Sequence, residues 1–485
     1  MDSTMAKKKN DIKIEFIGNN AESVTGSATL ISFGSRKILF ECGGIQEGKT
    51  PYENYKLNRN MVQKIKAKEI DTIILGHNHY DHIGNVCTIF KQNPNIKVLV
   101  PQDSKLILRE MLIDSCYINQ RDCEFLSKKY KDKVFTPSYY ESDVEQMLQS
   151  TTEYSVGENH IIDENLSIKF VYSGHIFGAC QCELSIKIGN ITRKLLFTSD
   201  LGNVKTQDLK PFVQNFEPMS NGVIAICEST YGARSNISLT NKIISNDLEK
   251  VKTVVEQYCV QNHRRVLFPV FSLDKCPNVL WLLFQAFKDY EGFDTKIIID
   301  SPLTNRLLDR YGELLQGEAK RQFDEMMSWD NIVRIVDPMQ SKSAIKTMTN
   351  CCILSSGGML QSGRSVSWAL SLLPHAEDCI LLSGYCGENT LGWRIKNGNE
   401  QKTITINGTT VKNRCQIVAL KSQSGHMQRN DLLDYYSQLN VDKIYLVHGE
   451  MQGKLELAED LKERISQLSK STRVCVVNKG TMINL

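Results

Sequence analysis

The stretch DTIILGHNHYDH, residues 71–82, decides how this chain is read. Its first half is a short apolar run with β-branched residues, the pattern of a buried strand. Its second half packs four residues of ligand chemistry into six positions: His77, His79, Asp81 and His82. In an extended segment residues two apart project to the same side. His77, His79 and Asp81 are therefore expected to converge, and His82 to point away. Imidazole nitrogens and carboxylate oxygens are the donors zinc takes when it does hydrolysis, so such a cluster at a strand end predicts a dinuclear metal pattern. The chain has only nine histidines and three fall here, which argues against a chance surface group.

Further along, His175 sits in the Gly-flanked turn SGHIFGAC, Asp200 ends the apolar run KLLFTS, and His448 ends the run YLV. Each alone is a weak signal, because a lone His in a turn is more often structural and an Asp after a strand is often a helix cap. Together they make seven candidate ligands, all at strand ends, where α/β sheets present their sites.

Strand-like and helix-like runs alternate around these positions, which points to a layered α/β fold. IKIEFIG, ATLISFG and RKILFEC read as strands, 52–67 as a helix, 103–150 as charged helices, and SIKFVYSG, CELSIKI and KLLFTSD as strands again. The polar stretch 207–222 is the best boundary. Beyond it VIAICEST, RVLFPVFS, TKIIIDSP, NCCILSS and CILLSG alternate with helical segments in a Rossmann-like βα pattern, and after about residue 415 the first style resumes.

Composition bounds the function. With 485 residues, 41% hydrophobic and 23% charged, the chain is neither collagen-like nor mainly disordered. Fifty-eight Lys and Arg against 55 Asp and Glu give +3, too balanced for an architectural nucleic-acid binder. Fifteen scattered cysteines without a CxxC pair predict a reduced protein with buried thiols. The Lys7–Lys9 run has no apolar stretch after it, so no signal peptide is expected and a cytoplasmic protein is. The alternating Cys180 and Cys182 read as core packing.

HxHxDH, then a lone His, an Asp and a late His resembles the motif series of the metallo-β-lactamase fold. By that resemblance His77, His79 and His175 hold one zinc, Asp81, His82 and His448 hold the other, and Asp200 bridges, giving two Zn2+ per chain. Asp200 and His448 lie 248 residues apart. A gap of that size, filled by a Rossmann-like unit, resembles the β-CASP nucleases. The order of motifs agrees: VTGS (24–27), CESTYG (227–232) with Glu228, FPVFSLDKC (268–276), SSGGMLQSG (355–363), GYCGENTLGWR (384–394), QSGHMQ (423–428) with His426, and VHGE (447–450). Four positions, in three motifs, depart from the family pattern. Asp274-Lys275 replaces Gly-Arg, Glu41 replaces Asp before Cys-Gly, and Gln428 stands where Asp is common.

The resemblance implies an α/β fold: a metallo-β-lactamase αββα sandwich from residues 1–220 and 425–485, with a Rossmann-like β-CASP domain inserted at 221–424. It implies a ribonuclease similar to the cleavage and polyadenylation factor subunits and their prokaryotic homologues, because the late motif carries His448 where DNA-repair members carry Val. RNA is then the substrate, cleaved endonucleolytically or from the 5′ end through a metal-activated hydroxide, by a homodimer or within an RNA-processing complex. Asp81 would manage the attacking water's proton, His426 would act as general acid, Glu228 would orient it, and Ser424 and Gly425 would present donors to a phosphate. The competing readings are a ligand-depleted RNA-binding scaffold, which the full ligand set argues against, and a DNA nuclease or other phosphodiesterase with the same metal centre. GGIQEGKT (43–50) also satisfies the phosphate-loop pattern G-x-x-x-x-G-K-T, although Glu47 would repel phosphate.

Overall fold

The computed structural model describes residues 11–236, 239–384, 386, 390–397, 403–406 and 408–485. The Lys7–Lys9 run and positions 385 and 387–389 of the GYCGENTLGWR motif lie outside the described residues. The chain forms two compact units, one from residues 1–204, 214–238 and 426–485, the other from 205–213 and 239–425.

The first unit is a four-layer αββα sandwich. One seven-stranded sheet runs, in spatial order, Met482–Asn484, Lys13–Phe16, Thr29–Phe33, Arg36–Phe40, Thr72–Ile74, Lys97–Pro101 and Thr151–Tyr154. The other runs Arg473–Val476, Lys443–Val447, Ile224–Glu228, Ile191–Phe197, Cys180–Ile188, Leu166–Tyr172 and His160–Asp163. Alternating burial along Thr29–Phe33 sends Thr29, Ile31 and Phe33 inward, as the two-residue period of a strand requires. Ile14, Ile31, Ile38 and Phe40 meet Phe170, Leu184, Leu195 and Phe197 between the sheets, and Phe40 stacks on Phe197 at 4.3 Å. The opposite faces bury Leu39, Ile73 and Val98 under helices on one side and Leu196, Ala225 and Ile444 on the other.

Parallel pairing aligns the strand ends that matter. Ile191–Phe197, Ile224–Glu228 and Lys443–Val447 run side by side and parallel, so Asp200, Glu228 and His448 emerge at one edge. Arg36–Phe40 and Thr72–Ile74 are likewise parallel, delivering Glu41 and the His77 loop. The run Ile224–Glu228 departs from the sequence reading, which counts it with the inserted unit from 221. A strand buried on both faces reads as a continuous apolar run in either sheet, and only its pairing with Lys443–Val447 assigns it.

The second unit is a six-stranded sheet in the order Ile332–Ile335, Lys296–Asp300, Cys351–Ser356, Arg265–Val270, Cys379–Leu382 and Gln416–Ala419. Every pairing in it is parallel. Its own helices begin with Asn241–Val255, capped by Thr240, whose hydroxyl accepts from the Ile243 amide. All fifteen cysteines are unpaired and fourteen are buried. Among the described residues no helix is long and apolar enough to cross a membrane.

Candidate metal centre

The extended backbone of the HNHYDH loop lasts only to His79, which precedes a single helical turn, Tyr80–Ile83. That turn corrects the expectation for His82. Instead of pointing away, it swings back beside Asp81, its Nε2 lying 3.6 Å from Asp81 Oδ2 and 3.4 Å from Asp200 Oδ2.

Two close approaches hold the loops in place. A Cβ on Gly43 would sit 1.6 Å from the Asp81 carbonyl oxygen, and one on Gly202 would sit 1.8 Å from that of Gly174. Only glycine lets the Glu41 turn pass behind the HNHYDH loop and the Asp200 turn pass against the His175 turn.

The structure brings all seven candidate ligands together. Donor atoms of His77, His79, His175 and Asp200 lie within 4.8 Å of one another, and so do those of Asp81, His82, Asp200 and His448. Asp200 belongs to both groups. It is 3.6 Å from His77 Nε2 and from His175 Nε2, and its other oxygen is 3.3 Å from His448 Nδ1. A third group joins Asp200, Glu228 and His426. Here Glu228 accepts from the Leu201 and Thr230 amides and lies 3.3 Å from His426 Nδ1. Ser424 and Gly425 end the second unit, immediately before His426 in the chain.

The residues fit a divalent cation, and the rings show why. Nε2 of His77, His82 and His448 is buried with no hydrogen-bond partner, a costly state for a polar atom unless a ligand completes it. The opposite nitrogen of His77 is fixed. Ser199 donates its hydroxyl hydrogen to Glu41 Oε1 at 2.6 Å, so it must accept from His77 Nδ1 at 3.0 Å. Glu41 Oε2 lies 2.7 Å from His82 Nδ1 and accepts from Ser27 at 2.6 Å. The His77 ring thus carries its proton on Nδ1 and turns the Nε2 lone pair inward, the tautomer that ligation needs.

Electrostatics agrees. Burial holds His77 well below the usual histidine range and also lowers His79. Burial opposes charge on His82 as well, but Glu41, Asp200 and Asp81 outweigh it and hold its pKa well above normal. His448 is raised to about 8 against burial, by Asp200 and Asp81. Asp200 stays well below the carboxylate range despite burial, because His448 and His82 face it. His426 is raised against burial by the charge and hydrogen bond of Glu228. Without a metal the cluster balances its carboxylates with imidazolium protons, which a divalent cation would displace.

Sequence reasoning missed Ser27, Ser199 and Thr230, the last lying 3.1 Å from His448 Nδ1. It treated Glu41 only as a departure from a pattern. Glu41, Ser199 and His448 all have positive φ, at 61°, 49° and 51°, strain of the kind that gathers at functional sites. The phosphate-loop reading of 43–50 finds no support in the geometry. The amides of Gly43 and Gly44 donate to the Ser27 and Tyr80 carbonyls, and those of Ile45, Gly48 and Lys49 to Asn58, Asn54 and Glu53. Glu47 accepts from Asn19 and Thr25, so the loop braces the metal loop, and five of its eight amides are already committed within the protein.

A sandwich of two sheets with this donor set at one edge and a parallel α/β unit inserted before its last strands defines a class. The chain is a metallo-β-lactamase/β-CASP protein, a metal-dependent hydrolase: residues 23–115 match the metallo-β-lactamase superfamily, 278–395 the β-CASP domain, and 410–471 the Zn-dependent metallo-hydrolase RNA specificity domain. Among similar proteins is the transcription termination factor FttA of Methanocaldococcus jannaschii, 23% identical and aligned over 93% of this chain and 69% of its own. Ribonuclease TTHA0252 of Thermus thermophilus is 25% identical over 93% of this chain and 96% of its own. The cleavage and polyadenylation specificity factor 73 of Drosophila melanogaster is 25% identical over 94% of this chain and 63% of its own. A solved structure from Enterococcus faecalis, of a protein of unknown function, shares the fold with a TM-score of 0.54 at 11% identity, over 98% of this chain and all of its own.

Proposed function

We propose that the chain is a zinc-dependent ribonuclease that hydrolyses RNA phosphodiester bonds, with two Zn2+ held by the seven clustered ligands. The observation that carries this reading is the pair of donor groups sharing Asp200, with the Glu228–His426 pair beside them. The RNA specificity match over 410–471 and the similarity to a ribonuclease of Thermus thermophilus support RNA as substrate. A bound metal pair supplies Lewis acidity, lowering the pKa of a water and neutralising charge on phosphoryl oxygens.

The chain's own groups do the rest. Asp81 is the more open of the two acidic ligands, its side chain 23% exposed against 2% for Asp200, and it takes the attacking water's proton. Glu228 holds His426 through Nδ1, which leaves Nε2 as the nitrogen that gives a proton to the leaving ribose oxygen. The raised pKa of His426 keeps that proton in place at neutral pH. Ser424 and Gly425, next in the chain to His426, contact a phosphate.

The test is one RNA labelled separately at each end, with a matched DNA, incubated with zinc-loaded protein and with His426→Ala. Internal fragments mean endonuclease action, and mononucleotides released from the 5′ label mean a 5′-exonuclease. His426→Ala should retain zinc and cut about 10²–10⁴ times more slowly. Undiminished cutting by His426→Ala removes that residue's role, and no cutting of either nucleic acid with two zincs bound overturns the reading.

A further inference from the structure

The first unit carries a second feature, separate from the metal ligands. The helices Pro51–Lys64 and Lys105–Lys129 and the turn that follows the latter build a small satellite core of Cys123, Leu126 and Phe135, against which Tyr52, Tyr55 and Tyr130 pack half-buried. Cations lie over these rings. Lys56 is 5.2 Å and Lys133 5.8 Å from the centre of the Tyr52 ring, Arg59 is 4.7 Å from Tyr55, and Lys129 is 5.6 Å from Tyr130 and 5.9 Å from Phe125. Five of the seven such contacts among the described residues therefore fall on this one face.

Three further properties separate this face from an ordinary solvated surface. Lys56, Lys128, Lys129, Lys131 and Lys133 are exposed, and among the described residues none of them makes an ion pair, although lysines elsewhere do. Apolar surface stays open beside them, with Phe125 52% and Val134 86% exposed. A groove of about 540 Å³ runs between residues 120–128 and 135–140, its lining including Lys128, Phe135, Tyr140 and the single carboxylate Glu124.

From this we infer that the face built by the helices Pro51–Lys64 and Lys105–Lys129 is an accessory binding surface for single-stranded RNA. Flat rings interleaved with unpaired cations suit a flexible polyanion whose bases stack, and the unpaired lysines have phosphates to meet. A folded acidic protein would satisfy the charge but leave the rings without flat partners. The face adjoins the metal loop, because the helix Lys105–Lys129 packs against the turn Tyr80–Ile83 and Asn78 of the loop donates to Ser104 at the head of that helix. RNA held there lies on the same unit as the bond to be cut. The inference rests on RNA being the substrate, and it adds a surface that grips a long strand.

The experiment compares the zinc-loaded parent, Lys56→Ala/Lys129→Ala/Lys133→Ala, Phe125→Ala, and a control with the same charge removed elsewhere, Lys97→Ala/Lys187→Ala/Lys462→Ala. An unstructured 30-nucleotide RNA and a hexanucleotide serve as substrates. The expected result is that the triple variant raises KM for the 30-mer about tenfold with kcat unchanged, and leaves hexanucleotide cleavage unaltered. The slope of log affinity against log salt should fall by about 2, at about 0.7 per phosphate contact on a single strand. Phe125→Ala should raise KM about threefold, and the control should change little. Equal KM for parent, triple variant and control overturns the inference. So does a triple variant that loses polyglutamate binding but keeps RNA binding, which would make the face a site for an acidic protein. If the parent cuts no RNA, fluorescence anisotropy with the same 30-mer still reads the surface: binding lost in the triple variant supports it while the nuclease reading falls.

Discussion

Asp200 in the first unit and Asp300 in the second occupy matching places, each a buried aspartate at or just past the C-terminal end of a parallel strand. Their surroundings differ in kind. Asp300 accepts from Arg364 Nη1 at 2.6 Å, from the Ser341 hydroxyl at 2.6 Å and from Trp368 Nε1 at 2.7 Å. Each partner is a fixed donor, so the carboxylate is satisfied and ties strand to helices. Asp200 faces four imidazoles at 3.3–3.6 Å, three of which keep an Nε2 without a hydrogen-bond partner. A buried acid at a strand end is thus not a site in itself. What faces it decides: saturating donors make it structural, and inward lone pairs make it a place for a cation.

The sharpest break of this comparison removes each acid in turn. Asp200→Ala should lose its zinc, measured by elemental analysis of dialysed protein, and its activity should fall to background. Asp300→Ala should do the reverse. It leaves Arg364 partly buried without its carboxylate, at a cost of about 3 kcal/mol in urea unfolding, while its zinc content stays at the parent's. A zinc-free Asp300→Ala, or an Asp200→Ala with full zinc, would remove the distinction drawn between the two ends.

The two aspartates also mark what the sequence makes legible. LLFTSD and KIIIDS read alike, an apolar run closed by an acid, and only the spacing to HNHYDH and VHGE singles out Asp200. The layered α/β class is readable because period-2 burial and continuous apolar runs are local. The placement of Ile224–Glu228 is not, because a doubly buried strand looks the same in either sheet. The swing of His82 depends on one turn of helix at Tyr80, which a strand-based reading of the loop overrides. Ser199 leaves no signal at all and Glu41 shows only as a departure from a pattern, since residues 158 positions apart meet only through two positive-φ turns.

Lys454 offers a smaller test of the same rule with the sign of charge reversed. It is fully buried in the helix Met451–Gln467, and its Nζ donates to the Ala21 and Val477 carbonyls, joining the two ends of the chain. Burial lowers its pKa to about 8, against about 10.4 in an unfolded chain. Between those values the unfolded state holds more protons, so stability should rise with pH across that window. The gain is complete above about pH 10.4 and lost as pH falls through about 8, at most about 3 kcal/mol. Urea midpoints from pH 7.5 to 10.5 in chelator should show this rise in the parent and not in Lys454→Met. Parallel curves would mean that Lys454 titrates normally.

The finest test falls on Glu41, the residue that through Ser199 makes the open His77 ring of the metal centre point inward. It is fully buried, and its two oxygens take hydrogen bonds from Ser199 and Ser27 while facing His82 Nδ1. Both hydroxyl hydrogens are thereby committed, so Ser199 can only accept from His77. Glu41→Gln replaces one oxygen by an amide that donates. That amide competes for the Ser199 or Ser27 oxygen, or opposes the Nδ1 proton of His82, and in each case the Nε2 lone pair loses its fixed direction. Such outer partners are worth about 10–100-fold in metal affinity, and a competition titration against a fluorescent zinc chelator should show a loss in that range. Glu41→Asp should fall short of it, because a carboxylate retains its acceptors although its shorter arm reaches fewer partners. If Glu41→Gln binds zinc as the parent does, the rings are oriented by packing alone, and the contrast between saturated and open acids loses its mechanism.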